Sequence, residues 1–543
     1  MPSPDPRALL GLRAAAAVLA GVALGLTWQP FGWWPLLAVS IPAFTLTVRN
    51  QPGRRAFGLG YLFGLGMLTV AVSWLHVLGL WIAALLIVFE ALFFGVLGVL
   101  LSLLSRLRWW PVAAAAAWVL VEYAYARVPF GGFGWIRLAY AAVDTPLSGF
   151  LPVIGVAGLS FVVALLTQII AWCAHALWTM RAAPTGRRPG GRRFVLPVTA
   201  LIVMLAVPVG LRFYQVEPGQ TAAGQVNVGI VQGNIPGRGI EAMGRARSVT
   251  NNHLSETVNL MTRVRLGQER QPDFLLWPEN STDIDPTVDP VTRLTVEAAA
   301  QVAGRPILVG AVMQGPGEDE RQTSALWWQP GRGPQARYDK QNLVPFGEWI
   351  PFRDQLKPLV PILERVGAQS VPGTKPGVLT VDLDDRVIRL GDVICFELAY
   401  DQTIYAAVRG GAQVMLVQSN NATYGGTGQI EQQFAITRAR AMEARREIAV
   451  ATTNSVSGFI DRNGRVVYRT AEFTADSLVV SMPLRSAITP ALIIAPWLER
   501  GLAAFAVVAA AIAWVASRRT DRPTGGRVEA STSQTSSVVD AAT

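Results

Sequence analysis

The sequence predicts an α-helical membrane bundle of about eight transmembrane helices joined to a layered α/β domain. Three observations lead there. The 543 residues are 51% hydrophobic and only 15% charged, and the chain is long enough for a bundle and a separate domain. Polarity is uneven: the first 215 residues are mostly apolar runs, whereas about 226–483 has the balance of an ordinary soluble protein. Arginines also collect in alternate short connections between the apolar runs. The expected organisation is a bundle over 1–215 with helices one to seven and an extracytoplasmic domain over 216–488. An eighth span over 489–517 and a disordered cytoplasmic tail over 518–543 complete the chain.

An apolar helix of about 20 residues crosses a hydrocarbon core. Such stretches lie near 8–28, 33–48, 56–75, 80–104, 109–126, 150–178, 194–213 and 491–516, the second being short. Arg7 and Arg13 precede or open the first, and Arg49, Arg54 and Arg55 separate the second and third. Arg106 and Arg108 follow the fourth; Arg181, Arg187, Arg188, Arg192 and Arg193 follow the sixth; Arg518, Arg519, Arg522 and Arg527 follow the last. The intervening connections carry only Arg127 and Arg137. Short basic loops stay inside, so both termini are expected in the cytoplasm and 214–490 outside. The net charge of +10 is therefore a topology signal, and the expected partner is the lipid bilayer, with no nucleic acid.

A cleaved signal peptide is disfavoured for the first run, which leads into Trp28-Gln29-Pro30-Phe31-Gly32-Trp33 and not into small residues. Trp33, Trp34, Trp109 and Trp110 fit interfacial anchors. Glu90 and Glu122 place ionisable groups at membrane depth, where they are costly; for Glu90 a helix-to-helix hydrogen bond is an equal reading.

From 226 short β-rich runs alternate with helical ones. Strands are expected at 226–232, 273–278, 306–312, 324–329, 387–394, 413–418 and 448–453, and helices at 251–267, 292–304 and 432–446. In such layered sheets reactive residues gather where strands end. FLLWPENS ends a strand at Glu279, RYDKQNLVPFGEW (337–349) carries Lys340 and Glu348, GDVICFELAY (391–400) ends one at Cys395, and VQSNNATYG (417–425) closes with Tyr424.

Counting residue types narrows the chemistry. Cys173 lies in an apolar run, so Cys395 is an unpaired thiol outside the membrane. Of three histidines only His253 lies in the polar part, within a polar helix. A His-and-Cys zinc site is excluded by that count, and no cofactor is expected. A nucleophilic Cys395 then needs a carboxylate base, for which Glu279 is best placed. Three of the 47 Lys and Arg residues are lysine, so Lys340, beside Tyr338 and Pro345-Phe346-Gly347, is a candidate for a specifically required ammonium. A nearby ammonium favours the thiolate and stabilises an oxyanion; a partly buried carboxylate takes the thiol proton.

These residues resemble the carbon–nitrogen hydrolase (nitrilase) superfamily and, within it, the apolipoprotein N-acyltransferase family, which joins such a domain to an eight-span bundle. The likeness covers roughly 8–516 and rests on WPEN, YDKQNLVPFGEWIPF, ICFE, SNNATYG and ATTNSVSGF. It implies an αββα sandwich, with Glu279 as general base, Lys340 as transition-state stabiliser and Cys395 as acylated nucleophile. Glu348, Phe396, Glu397 and Tyr424 take supporting places at the substrate site. It also implies a bacterial inner (cytoplasmic) membrane, a phospholipid acyl donor and a diacylglyceryl-apolipoprotein acceptor. Two departures stand out. QGNIPGRGIEAMG (232–244) lacks the tryptophan common there, and the 118–135 segment has Glu122, Arg127 and Gly132-Phe133-Gly134-Trp135 in place of Glu-x-x-Arg and Gly-Phe-Pro-Trp. Two other readings compete: a membrane-anchored nitrilase-type amidase, and a non-catalytic lipid-binding scaffold. Eight spans argue against the first, since one would anchor an amidase; the intact triad argues against the second.

Overall fold

The structure, a computed structural model, describes residues 5–182, 191–212, 224–235 and 247–520. Arg187 and Arg188, most of the QGNIPGRGIEAMG segment and the C-terminal tail lie outside the described residues.

Apolar runs become helices because only intrachain hydrogen bonds satisfy a backbone in lipid. The first part of the chain forms α1 (Pro6–Gly25), α2 (Leu37–Val48), α3 (Gly53–Ala71), α4 (Leu80–Leu104), α5 (Trp110–Tyr125), the short α6 (Leu138–Ala141), α7 (Leu151–Ala182) and α8 (Val195–Leu211). Together with a C-terminal helix (Pro490–Thr520), helices fill all eight predicted stretches. Among the described residues four helical segments are long and apolar enough to cross a membrane by length and composition: Arg7–Gly25, Leu80–Leu104, Pro146–Ala182 and Pro490–Arg518. Trp33 and Trp34 are exposed, as anchors should be, but Trp110 is buried and lies 5.2 Å beneath the Arg49 guanidinium. That tryptophan packs inside the bundle and does not meet lipid.

The polar part is a sandwich of two sheets. Strands β1 (Gln225–Gln232), β2 (Phe274–Leu276) and β3 (Ile307–Gln314) run parallel, joined by helices α9 (Ser248–Arg265) and α10 (Pro290–Ala303). β4 (Glu320–Gln329) and β5 (Gly333–Asp339) continue this sheet antiparallel, after which come the short α11 (Arg353–Leu356) and β6 (Gln369–Ser370), which pairs with β4. The second sheet begins at β7 (Val378–Asp382) and has a parallel centre of β8 (Val387–Ile394), β9 (Val414–Ser419) and β10 (Ile448–Thr452). Helices α12 (Asp401–Arg409) and α13 (Gly428–Ala444) make its crossovers, and β11 (Gly458–Ile460) and β12 (Val466–Arg469) extend it. β13 (Asp476–Pro483) then returns to pair with β1 before the last helix, α14 (Pro490–Thr520).

Strand alternation separates the layers, because successive side chains point to opposite faces. Leu390, Ile394, Val414 and Leu416 face Val228, Phe274, Leu276 and Trp327 in the core between the sheets. Val393, Met415 and Val417 face outward onto α12, α13 and the bundle. On the other side Leu275, Trp277, Ile307 and Val309 pack under α9 and α10. The result is the expected αββα order, with one helical layer pressed against the membrane part. Strands β5, β6, β7, β11, β12 and β13 and helices α11 and α12 escaped the sequence reading: apart from the eight-residue β13, their runs are too short or too polar for periodicity to register.

Candidate active site

Glu279, Lys340 and Cys395 follow the ends of β2, β5 and β8, which the two sheets bring to one end of the sandwich. Lys340 is 1% exposed. Its backbone N–H donates to Thr323 of β4 at 2.9 Å, and its Nζ lies 3.0 Å from Glu279 Oε1 and 3.0 Å from Glu348 Oε2. The other Glu279 oxygen accepts the Asn420 N–H at 2.8 Å, from the loop after β9. Glu348 accepts the Val344 N–H at 2.7 Å, which folds the 344–348 segment back over the lysine.

The electrostatics follow from this packing. Burial pushes Glu279 above the ordinary carboxylate value and Glu348 adds to the rise, while Lys340 opposes it. Burial alone would lower Lys340, but Glu279 and Glu348 more than reverse that, so it stays an ammonium. Burial, followed by the Glu279 charge, pushes the Cys395 thiol up to about 12 against the pull of Lys340. Cys395 is thus a neutral thiol beside a fixed cation and a carboxylate of raised pKa. Its Sγ lies 3.8 Å from Asn421 Oδ1.

Cys395 has φ of +54°, a left-handed conformation costing a non-glycine residue about 1–2 kcal/mol. Glu397 holds that turn. Its carboxylate accepts N–H bonds from Ile394 at 3.0 Å, Gln341 at 2.8 Å and Asn342 at 3.1 Å, and the Tyr338 hydroxyl at 2.9 Å. One buried side chain therefore ties the cysteine turn to the loop that begins at Lys340. Phe396 points to the bundle, stacked on Trp135 at 5.7 Å and Phe133 at 6.2 Å. Tyr424 is set edge-on to Trp74 at 5.2 Å. Burial raises its hydroxyl above the ordinary tyrosine value. All seven residues singled out in the sequence thus gather around this end of the sandwich or its contact with the bundle.

His253 does not join them. It is buried in α9, with Nδ1 2.7 Å from the Val249 carbonyl and its ring 5.6 Å from Trp277. Burial lowers its pKa to about 4, so it is a neutral core residue. No group of three or more His, Cys, Asp or Glu side chains suited to a metal occurs among the described residues.

Sequence reasoning missed Asn420 and Asn421, although they stand in a quoted motif: the backbone N–H of one and the amide oxygen of the other act only once β9 is placed beside β8. It also missed Asp392, fully buried on β8, neither of whose carboxylate oxygens has a hydrogen-bond partner. Burial, then Glu397, raises that carboxyl well above its ordinary value.

Comparison with known proteins covers both parts of the chain. A family model described as the apolipoprotein N-acyltransferase N-terminal domain matches residues 20–169, and the carbon–nitrogen hydrolase model matches 281–489. An apolipoprotein N-acyltransferase of Mycolicibacterium smegmatis is 34% identical over 499 residues, covering 88% of this chain and 81% of that relative. Another, of Vibrio cholerae, is 26% identical over 503 residues, covering 88% and 93%. Among solved structures, an amidase of the nitrilase superfamily from Nesterenkonia AN1 aligns with a TM-score of 0.38 and 17% identity, covering 52% of this chain and 99% of that one.

Proposed function

The chain belongs to the apolipoprotein N-acyltransferase family, and on that premise we propose that Cys395 carries the transferred acyl group as a thioester. The protein is a membrane enzyme that N-acylates lipoproteins with an acyl chain from a lipid donor. The observation that carries the reading is the buried cluster in which Lys340 Nζ lies 3.0 Å from Glu279 at the mouth of the Cys395 turn.

In the first half-reaction Cys395 Sγ attacks the acyl carbonyl of a phospholipid ester while Glu279 takes the thiol proton. A neutral thiol requires that transfer, because it does not ionise on its own at neutral pH. The Lys340 ammonium stabilises the tetrahedral oxyanion. Collapse breaks the ester C–O bond, and Glu279 returns the proton to the departing lysophospholipid oxygen. In the second half the α-amino group of a diacylglyceryl-cysteine attacks the thioester and Glu279 accepts its proton. The amide forms as the C–S bond breaks and sulfur recovers the proton. Glu348 keeps the lysine in place, Glu397 holds the Cys395 turn, and Phe396 and Tyr424 flank the substrate site.

The same reading assigns residues 1–215 and 489–517 to the membrane, 216–488 to an extracytoplasmic catalytic domain and 518–543 to a cytoplasmic tail, in the bacterial inner membrane. Eight spans with both termini inside agree with the arginine distribution. In a chain lacking native cysteines, Gln268→Cys is expected to react with an impermeant maleimide on intact spheroplasts and Arg106→Cys only after lysis.

Mass spectrometry of the purified protein incubated with phospholipid and no acceptor tests the chemistry. The Cys395 peptide is expected to gain an acyl mass, lost on adding a diacylglyceryl-lipopeptide and never seen in Cys395→Ala. An unmodified Cys395 peptide under turnover sinks the thioester route, and free fatty acid without N-acylated lipopeptide points to hydrolysis instead.

A further inference from the structure

The turn that bears the nucleophile is not held by the catalytic domain alone. Residues Cys395–Ala399 form a single 3₁₀ turn that runs through Tyr400 into α12, whose first residue is Asp401. Arg440 of α13 is fully buried beneath it. Its Nε donates to the Leu398 carbonyl at 2.9 Å and its Nη2 to the Ala399 carbonyl at 3.4 Å. The same guanidinium reaches Asp401 Oδ1 at 2.7 Å, Glu443 Oε2 at 2.6 Å and the Tyr140 hydroxyl, in the connection between α5 and α7, at 3.0 Å. The second Asp401 oxygen takes a 2.8 Å bond from Arg137, whose remaining nitrogens reach Glu499 of α14 at 3.0 Å and Glu122 of α5 at 3.4 Å.

A continuous path of charged hydrogen bonds therefore runs from two bundle helices through Arg137, Asp401 and Arg440 to the carbonyls that close the cysteine turn. Strained backbone persists only where its surroundings over-determine it. Glu397 secures the entry to the turn through the Ile394 N–H, and Arg440 secures its exit. We propose that Arg440 is a positioning residue for the nucleophile, and that Arg137 and Asp401 make its setting depend on the membrane bundle. This rests on Cys395 being the acylated residue. Any pair filling a buried interface would stabilise the contact; Arg440 differs in that its bonds end on the turn itself.

The experiment uses full-length protein in detergent, comparing wild type with Arg440→Lys, Asp401→Asn and, as a control, Arg438→Gln. Arg438 is on the same helix and crosses the same interface to Asp144 at 2.7 Å, yet does not touch the turn. Single-turnover acylation of Cys395 is followed per folded molecule over a range of phospholipid concentrations. The limiting rate of Arg440→Lys is expected to fall about 10- to 100-fold while the half-saturating donor concentration moves less than about twofold. Asp401→Asn, which keeps the side-chain volume, shows the same split and decides the matter where Arg440→Lys does not fold. Arg438→Gln is expected to acylate at the wild-type rate. Wild-type rates in Arg440→Lys and Asp401→Asn, or an equal loss in Arg438→Gln, overturn the inference while leaving the thioester intact. A wild-type protein with no acyl group on Cys395 removes the thioester reading and this inference with it.

Discussion

Lys340 is clamped between two carboxylates, and it opposes the rise that burial imposes on Glu279 and Cys395. In the proposed role of base Glu279 must be ionised, and its carboxyl is raised above 4.5 chiefly by burial. A base of raised pKa is neutralised earlier on acidification, so kcat/KM is expected to fall at a higher pH than an ordinary carboxylate allows. A pH–rate profile of lipopeptide acylation checks this. Glu279→Gln is expected to lower thioester formation by about 10²–10⁴, the usual worth of a positioned base, as measured by acyl-Cys395 accumulation. The thiol gives an independent reading. With its pKa pushed up to about 12, Cys395 is expected to alkylate slowly with iodoacetamide at neutral pH and to accelerate only in strong alkali. Alkylation that saturates near pH 8.5 contradicts it. At this scale Glu279, Lys340 and Cys395 were readable beforehand, because scarce histidine and scarce lysine left few alternatives. Asn421 was not: an asparagine in a loop has no meaning until β9 sets it 3.8 Å from sulfur.

Helix α7 shows how an element of the bundle depends on the polar domain. It contains Gly155 at φ +70° and ψ −173°, a break after which the helix restarts at Val156. The Val156 N–H has no carbonyl one turn earlier and donates instead to Glu443 Oε1 of α13 at 2.9 Å. A carboxylate from the polar domain thus caps a membrane helix where the dipole favours negative charge. Only glycine suits that backbone, and a Cβ would meet Ala495 Cβ at 2.6 Å and Glu443 Oε1 at 2.8 Å. Gly155→Ala is expected to destabilise the protein by about 2–4 kcal/mol, read as denaturant or thermal unfolding in detergent. Helix α13 itself carries the opposite lesson. Its polar residues Gln432, Gln433, Arg440 and Glu443 suit a solvated face, yet all are buried, because α13 lies between the second sheet and the bundle. Periodicity locates the helix and says nothing of its surroundings.

Across the whole molecule the two parts share one core. A single apolar cluster runs from Leu24, Phe63 and Trp118 in the bundle to Phe396, Phe434 and Ile460 in the domain. Gln432 sits in this contact with both amide ends used twice. Its Oε1 accepts the Trp74 and Trp135 indole N–H groups, each at 2.9 Å, and its Nε2 donates to the Gln29 and Ala71 carbonyls, each at 2.7 Å. Gln432→Leu leaves four groups at this contact without their partner, three of them buried, and is expected to cost about 3 kcal/mol or more, measured by unfolding of the intact protein. Acid tests the same contact. Burial alone would raise Asp401, but Arg137 and Arg440 pull it below the ordinary carboxylate range. A depressed folded pKa gives stability that is present above the unfolded value near ~3.9 and lost as pH falls through the folded one. The melting temperature is expected to drop below about pH 4 and to drop less in Asp401→Asn.

The sequence by itself determined the two-part architecture, the eight apolar helical stretches and the residues proposed for chemistry. Those depend on composition, on 3.6- and 2-residue periodicity and on rare residue types, all of which are local. Only the tertiary structure decided what joins the parts: Arg440 beneath the cysteine turn, Glu443 capping α7 and Gln432 bridging two tryptophans. These are polar side chains made internal by packing between a sheet and a bundle, and nothing in a linear pattern distinguishes a buried arginine with five partners from a solvated one.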